Sequence, residues 1–233
     1  MHYDFIEIGT SDFDTLCQSA PDGQVGLSVE PVAVYLDRLP IRPTMHKLWS
    51  AMVTDEQYTR SASVDLYFIP DSDIALHGLG SWMKGCNSIG KPHEFHTGYY
   101  PNIDNWHATD DRAALPKWDL LAAGVVKIVQ VPCITWSMLI DQFDIGTVDL
   151  LKTDTEGMDA DLLINMLVEY TRRGLRASLP KKIQFEDNAH TDVKRMVTAK
   201  ELLTVCGYNV ITHPHSKDSW AVLHQESTND DRH

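Results

Sequence analysis

Tyr3-Asp-Phe-Ile-Glu-Ile-Gly-Thr-Ser-Asp12 decides how the chain is read: an apolar, β-prone run ends in Glu7-Ile8-Gly9 and passes into small polar residues. Phe5, Ile6 and Ile8 suit a central parallel strand covered on both faces, and Gly9 lets backbone approach a ligand where a Cβ would block it. A helix should follow, capped by Ser11 or Asp12, with free N–H groups at its start for a polar or anionic ligand group. The next segment, Val25-Gly-Leu-Ser-Val-Glu30-Pro31, reads as a second strand ending in a carboxylate. In doubly wound sheets an acid at that tip can accept both hydroxyls of an adenosine ribose. Two elements therefore point at one crevice.

Composition narrows the alternatives. The chain has 233 residues, 43% of them hydrophobic, enough for one sizeable core. Residues 1–226 read as one domain with an insertion at 70–116, and residues 227–233 as a disordered polar tail. The formal net charge of −13 argues against nucleic acid or an anionic membrane as partner, because either needs a basic field. Cys17, Cys86, Cys133 and Cys206 form no C-x-x-C pair, which fits a reducing compartment. No signal-like start and no long apolar run is present, so the expectation is a soluble, cytoplasmic protein.

Periodicity supplies the remaining elements. Phe13 to Ala20 can form a short helix, and Pro31 to Leu39 a second with Pro31 in its first position. Lys47 to Val53 is a candidate third strand, and Ser63 to Ile69 alternates like a hairpin or edge strand. Pro70 to Pro116 has no sustained period, which fits either a functional lid or a surface insertion with a little local structure. Strands over Val125–Ile134, Val148–Asp154 and Lys182–Glu186 alternate with helices over Trp136–Phe143, Glu156–Arg173 and Thr198–Cys206. A terminal hairpin, Tyr208–Ile211 with Trp220–Leu223, closes the edge. This is an α/β fold. Its strand tips carry Glu7, Glu30, Asp154 with Glu156, and Glu186 with Asp187, and parallel strands present such tips at one rim. Singly, each acid reads as readily as a helix cap; Asp154 or Thr155, for instance, could cap the helix that follows.

Three of these segments carry a resemblance. Glu7-Ile8-Gly9-Thr10-Ser11-Asp12, Ser28-Val29-Glu30-Pro31 and above all Leu150-Leu-Lys152-Thr-Asp154-Thr-Glu156-Gly157-Met-Asp159 are similar to the FkbM family of S-adenosylmethionine-dependent methyltransferases. Cys86-Asn-Ser88-Ile89 resembles a Ser-containing loop of that family. Phe13 departs from the pattern, standing where a second glycine is common. The resemblance implies a doubly wound, mostly parallel seven-stranded Rossmann-like sheet with an antiparallel C-terminal hairpin and an inserted lid. It implies S-adenosylmethionine as cofactor, with Glu7, Gly9, Thr10, Ser11 and Asp12 around the methionine end, Glu30 and Pro31 at the ribose, and Asp55 near the adenine amine. Asp154 would border cofactor and acceptor together, and Asp154 or Glu156 would hold or deprotonate a small-molecule hydroxyl. His190, just past the fifth strand, is a further candidate base.

Other readings compete. Asp154 with Asp187 and Asn188 is similar to the acid and Asp-Asn set of catechol-type O-methyltransferases, where oxygen ligands suit Mg²⁺ or a like cation. His93 and His96 could form a zinc half-site with Cys86, although their spacing fits ordinary loop histidines better. Trp82, Tyr99 and Trp106 could stack on a ring or form the insertion's own small core. A nicotinamide oxidoreductase would share the ribose acid, but Ser11 and Asp14 occupy the later glycine positions of G-x-G-x-x-G. A non-catalytic binding protein on the same fold is the remaining alternative.

Overall fold

The computed structural model describes residues 1–98, 118–187, 192–212 and 218–224. The strands in chain order are β1 His2–Ile8, β2 Gly26–Glu30, β3 Met45–Trp49, β4 Ala51–Met52, β5 Ser63–Phe68, β6 Ser88–Ile89, β7 Lys127–Ile134, β8 Thr147–Thr153, β9 Lys182–Glu186, β10 Tyr208–Thr212 and β11 Asp218–Leu223. The helices are α1 Leu16–Ser19, α2 Ala33–Arg38, α3 Asp55–Arg60, α4 Asp71–Leu76, α5 Glu94–Thr97, α6 Trp136–Phe143, α7 Asp159–Arg172 and α8 Val193–Val205.

Among the described residues, seven strands form one sheet in the order β10-β11-β9-β8-β1-β2-β3. Six of them run in one direction, and β11, between β9 and β10, runs antiparallel to both. Successive strands leave β1 in opposite directions, β2 on one side and β8 on the other. That reversal opens a crevice at the carboxyl ends of β1 and β8, where Ile8 lies beside Val29 and Thr153. The sheet's apolar residues justify its position. Ile6, Ile8, Leu151, Ile183 and Phe185 are all buried, and α7 covers one face with Leu162, Leu163, Met166, Leu167 and Tyr170. Those five recur at helical spacing, as the sequence pattern requires. The indole N–H of Trp136, at the start of α6, donates to the Leu162 carbonyl at 2.8 Å and ties α6 to α7.

Several expectations are corrected. The third strand is two pieces: β3 stays in the large sheet, while β4 joins a second sheet ordered β4-β7-β5-β6. The strand β5, expected in a hairpin or at an edge, is antiparallel but lies inside this second sheet, between β7 and β6. Pro31 precedes α2 and does not open it; Val32 takes the cap position and gives its N–H to Glu30. The long helix begins at Asp159 because Glu156 and Gly157 have φ of 51° and 107°, which no α-helix accommodates. Neither Asp154 nor Thr155 caps it; the Asp159 carboxylate turns back to accept from the N–H and hydroxyl of Thr155. The helix α8 starts five residues earlier than its apolar pattern suggested, at a cap where Asp192 accepts from the Lys194 and Arg195 amides.

The described part of the 70–116 segment is folded. Between β5 and β7 it contributes α4, a 3₁₀ turn at Ser81–Lys84, β6 and α5. Ile74, Met83, Cys86 and Phe95 pack with Ile69, Leu120, Val125 and Val126 in a small core of their own. Trp82 joins it edge-on to Phe95, with centroids 5.2 Å apart; Tyr99 and Trp106 lie outside the described residues. No helix among the described residues is long and apolar enough to cross a membrane.

Candidate active site

The turn after β1 is held from below. Glu7 is fully buried, and both its oxygens accept from the Leu16 N–H while Oε1 also takes Lys152 Nζ at 3.0 Å. Burial pushes this carboxyl up from its ordinary value, and Lys152 with the Leu16 amide pulls it partly back. Glu7 therefore anchors α1 and β8 and lines neither of the cavities at the crevice. Gly9 has φ of 78°, and a Cβ there would stand 1.9 Å from the Asp154 carbonyl oxygen. The β8 strand end alone already demands glycine here, and Gly9 also lines both cavities at the crevice.

Beyond Gly9 the backbone turns under strain. Ser11 and Asp14 have φ of 52° and 54°, a region costly to residues with a Cβ. What holds Ser11 there is Glu30: its Oε2 accepts from the Ser11 N–H at 2.7 Å and contacts the Thr10 hydroxyl at 3.5 Å, while Oε1 accepts from Val32 N at 2.8 Å. Glu30 is 3% exposed, and burial raises its carboxyl to about 7 despite those donors. A carboxylate offers about four acceptor sites, so these three contacts leave Glu30 roughly one more. Asp12 points away. Its carboxylate is clamped by Lys84 and Arg38, each at 2.6 Å, and Arg38 reaches on to Asp71. Burial alone would raise the Asp12 carboxyl, but the two cations hold it below the usual range. This clamp fastens the 3₁₀ turn and α4 to the β1 turn.

Two cavities meet over these residues. The first is lined by Gly9, Ser11, Glu30, Pro31, Met52 and Asn87, among others, and the second by Phe13, Trp82, Phe95, Lys152, Glu186 and Asp218, among others. Gly9, Ser11, Gly85, Asp154 and Glu156 belong to both walls. Two buried polar atoms on residues that line the first cavity, Ser11 Oγ and Asn87 Oδ1, have no hydrogen-bond partner among the described residues. Buried polar groups in folded proteins are nearly always satisfied, so these two atoms can take a partner that the described chain does not supply. Asp154 sits on the shared wall, surrounded by protein yet open to solvent through the cleft. Desolvation, then the charges of Glu156 and Asp159, push its carboxyl well above its ordinary value.

A family model described as the methyltransferase FkbM domain matches residues 7–210. The chain belongs to the FkbM methyltransferase family. Membership implies an S-adenosylmethionine-dependent methyltransferase, and the mostly parallel seven-stranded sheet with antiparallel C-terminal strands is consistent with that Rossmann-like fold. No curated protein and no solved structure matched the chain significantly. The residues at the first cavity fit the family's cofactor: a buried carboxylate at the tip of β2 for ribose hydroxyls, and unsatisfied polar atoms beside it.

Other expected site residues are placed differently. Asp55 opens α3, lines neither cavity and accepts from Asn165 at 3.4 Å. Asp187 does not join Asp154; it takes Lys200 and the Ser219 hydroxyl, because its side chain leaves β9 toward α8 and β11. Asn188 and His190 lie outside the described residues. The acids whose oxygens do gather, within 4.8 Å of one another, are Asp154, Glu156 and Glu186. Two further side chains stand beside the site, and the sequence assigned neither of them a role there. Asn87 was legible only through the Cys86–Ile89 resemblance. His93, which the sequence offers as a zinc half-site or a loop histidine, brings its Nε2 to 3.3 Å from Glu156 Oε2.

Proposed function

We propose that this FkbM-family protein methylates a hydroxyl of a small molecule, such as a sugar or another polar metabolite. The observation that carries the reading is the shared wall: Asp154 and Glu156 border both the Glu30 cavity and the neighbouring cavity. A donor in one and an acceptor in the other would meet across these two acids. S-adenosylmethionine supplies an already activated methyl group, so the chain must align the acceptor and remove its proton. Glu30 accepts from the ribose hydroxyls, and Ser11 Oγ and Asn87 Oδ1 give the cofactor's polar edges their partners. Asp154, on the wall common to both cavities, takes the hydroxyl proton in its ionised form, whose share grows as pH rises because its carboxyl is raised. Glu156 orients the acceptor. Trp82, Phe95 and Phe13 furnish an apolar wall against which a ring can stack.

The test is transfer of radiolabelled methyl from the cofactor to a panel of hydroxylated acceptors, sugars included. The expected product is a base-stable ether, with Asp154→Asn lowering kcat more than it raises KM. Label that goes only to amines, or never leaves the cofactor across the panel, would refute it.

A further inference from the structure

The insertion places a histidine against the site. His93 precedes α5 and is 4% exposed, lodged between the small core of the insertion and the loop after β8. Its ring is oriented from two directions. The Phe95 N–H donates to Nδ1 at 3.1 Å, and the ring lies 4.7 Å from the Phe95 ring centroid. An amide N–H can only donate, so Nδ1 must carry a lone pair and the proton of the neutral imidazole sits on Nε2. That nitrogen stands 3.3 Å from Glu156 Oε2, within ion-pair distance but without the angle of a formed hydrogen bond. The main chain at His93 is fixed as well, since its N–H donates to His96 Nδ1 at 3.2 Å and His96 is wholly buried.

Glu156 is a residue that needs such a hold. Its backbone is left-handed, with φ of 51°, and Gly157 follows at 107°. A glutamate in that conformation is strained, and strain at a ligand wall points to a side chain whose direction matters. Gly85 of the insertion passes close by, an ideal Cβ there lying 4.0 Å from Glu156 Oε1.

We propose that His93 is a positioning residue for methyl transfer: its Nε2–H holds the Glu156 carboxylate at the junction of the two cavities. The proposal rests on the cleft being the transfer site described above. The 3.3 Å separation suits a contact that tightens when ligands fill the cleft.

The test uses the full chain, two ligands and two isosteric substitutions. Asparagine at 93 keeps an oxygen near the Nδ1 position for the Phe95 amide but has nothing at Nε2. Glutamine places an N–H near Nε2. S-adenosylmethionine and S-adenosylhomocysteine differ by the methyl group and the sulfonium charge, so their affinity ratio reports whether a carboxylate is held beside the sulfur. His93→Asn should lower that ratio about as much as Glu156→Gln does, by roughly three- to tenfold. His93→Gln should restore most of it, and the double variant His93→Asn/Glu156→Gln should be no worse than Glu156→Gln alone. A merely structural histidine would weaken both ligands equally. Equal weakening, or fully additive losses in the double variant, overturns the proposal. Long-range ¹⁵N–¹H spectra of the imidazoles read the His93 tautomer independently of ligand binding. An Nε2–H tautomer whose proton shift moves on Glu156→Gln supports the dyad, and an Nδ1–H tautomer overturns it, with or without ligand binding. Failure of the wild-type chain to bind either ligand would overturn the positioning role through the site assignment beneath it, even with the tautomer as expected.

Discussion

Replacing Glu30 by glutamine removes a charge from a carboxyl that burial has raised to about 7, against an ordinary 4.5. The folded protein therefore holds a proton that the unfolded chain has released, throughout the interval between those two values. Over that interval the unliganded protein loses stability as pH rises, because the unfolded state binds fewer protons than the folded one. Cofactor affinity runs the other way. Ribose hydroxyls donate to the ionised carboxylate, and the ionised fraction grows from about one in ten at about pH 6 to about nine in ten at about pH 8, so affinity should rise roughly tenfold. Glutamine keeps one acceptor oxygen and loses the charge. A hydrogen bond to a charged group contributes about 1.5–3 kcal/mol, so Glu30→Gln should weaken binding at about pH 8 by about 10- to 150-fold. It should also flatten the pH dependence. Calorimetric titration of S-adenosylhomocysteine into both proteins across this range measures both effects. A glutamine variant that binds within about twofold of the wild type, with the same pH slope, would refute the assignment of Glu30.

Gly9→Ala should destabilise the fold regardless of ligand. A left-handed residue with a Cβ costs roughly 1–2 kcal/mol, and pushing the Asp154 carbonyl aside adds about 1–3 kcal/mol, so Tm should fall by roughly 5–15 °C. An unchanged melting curve would show that the β1 and β8 ends are not in contact there. Asp12→Asn should loosen the tie between the β1 turn and the insertion, costing about 1.5–3 kcal/mol at neutral pH. Because the Asp12 carboxyl is held below its ordinary 3.8, that contribution is present above this value and disappears as pH falls through the folded one. Chemical denaturation at neutral and acid pH, with limited proteolysis of the insertion, would detect it. Equal stability of the variant at both pH values would contradict the clamp.

The strand-ending acids were legible because sheet topology dictates where they go. Once β1, β2 and β8 were read as parallel neighbours, Gly9, Glu30 and Asp154 had to share a rim, and they line one cavity. Side-chain direction was not legible. Glu7 precedes Ile8 on the same strand, yet its carboxylate turns back to Lys152 and the α1 start, since a buried charge takes the nearest cation and amide. Asp12 and Asp187 likewise found Lys84, Arg38 and Lys200, partners distant in sequence whose approach no local pattern announces. The second sheet was hidden for a similar reason. The strands β5 and β7 are separated by the whole insertion, and period-two alternation says that a segment is a strand without saying which sheet it joins. His93 reads in the sequence as a zinc half-site or a loop histidine; its approach to Glu156 was not legible, because the short elements of the insertion that bring it there are too brief to show a period.

The central claim is that the crevice where β1, β2 and β8 end receives the methyl donor. A crystal structure of the chain with S-adenosylhomocysteine addresses it most directly. The account predicts the ribose hydroxyls on the Glu30 carboxylate and the sulfur beside Asp154 and Glu156, facing the cavity walled by Trp82 and Phe95. A ligand seated elsewhere, for example against Lys181 and Lys182 at the opposite ends of the strands, would contradict it.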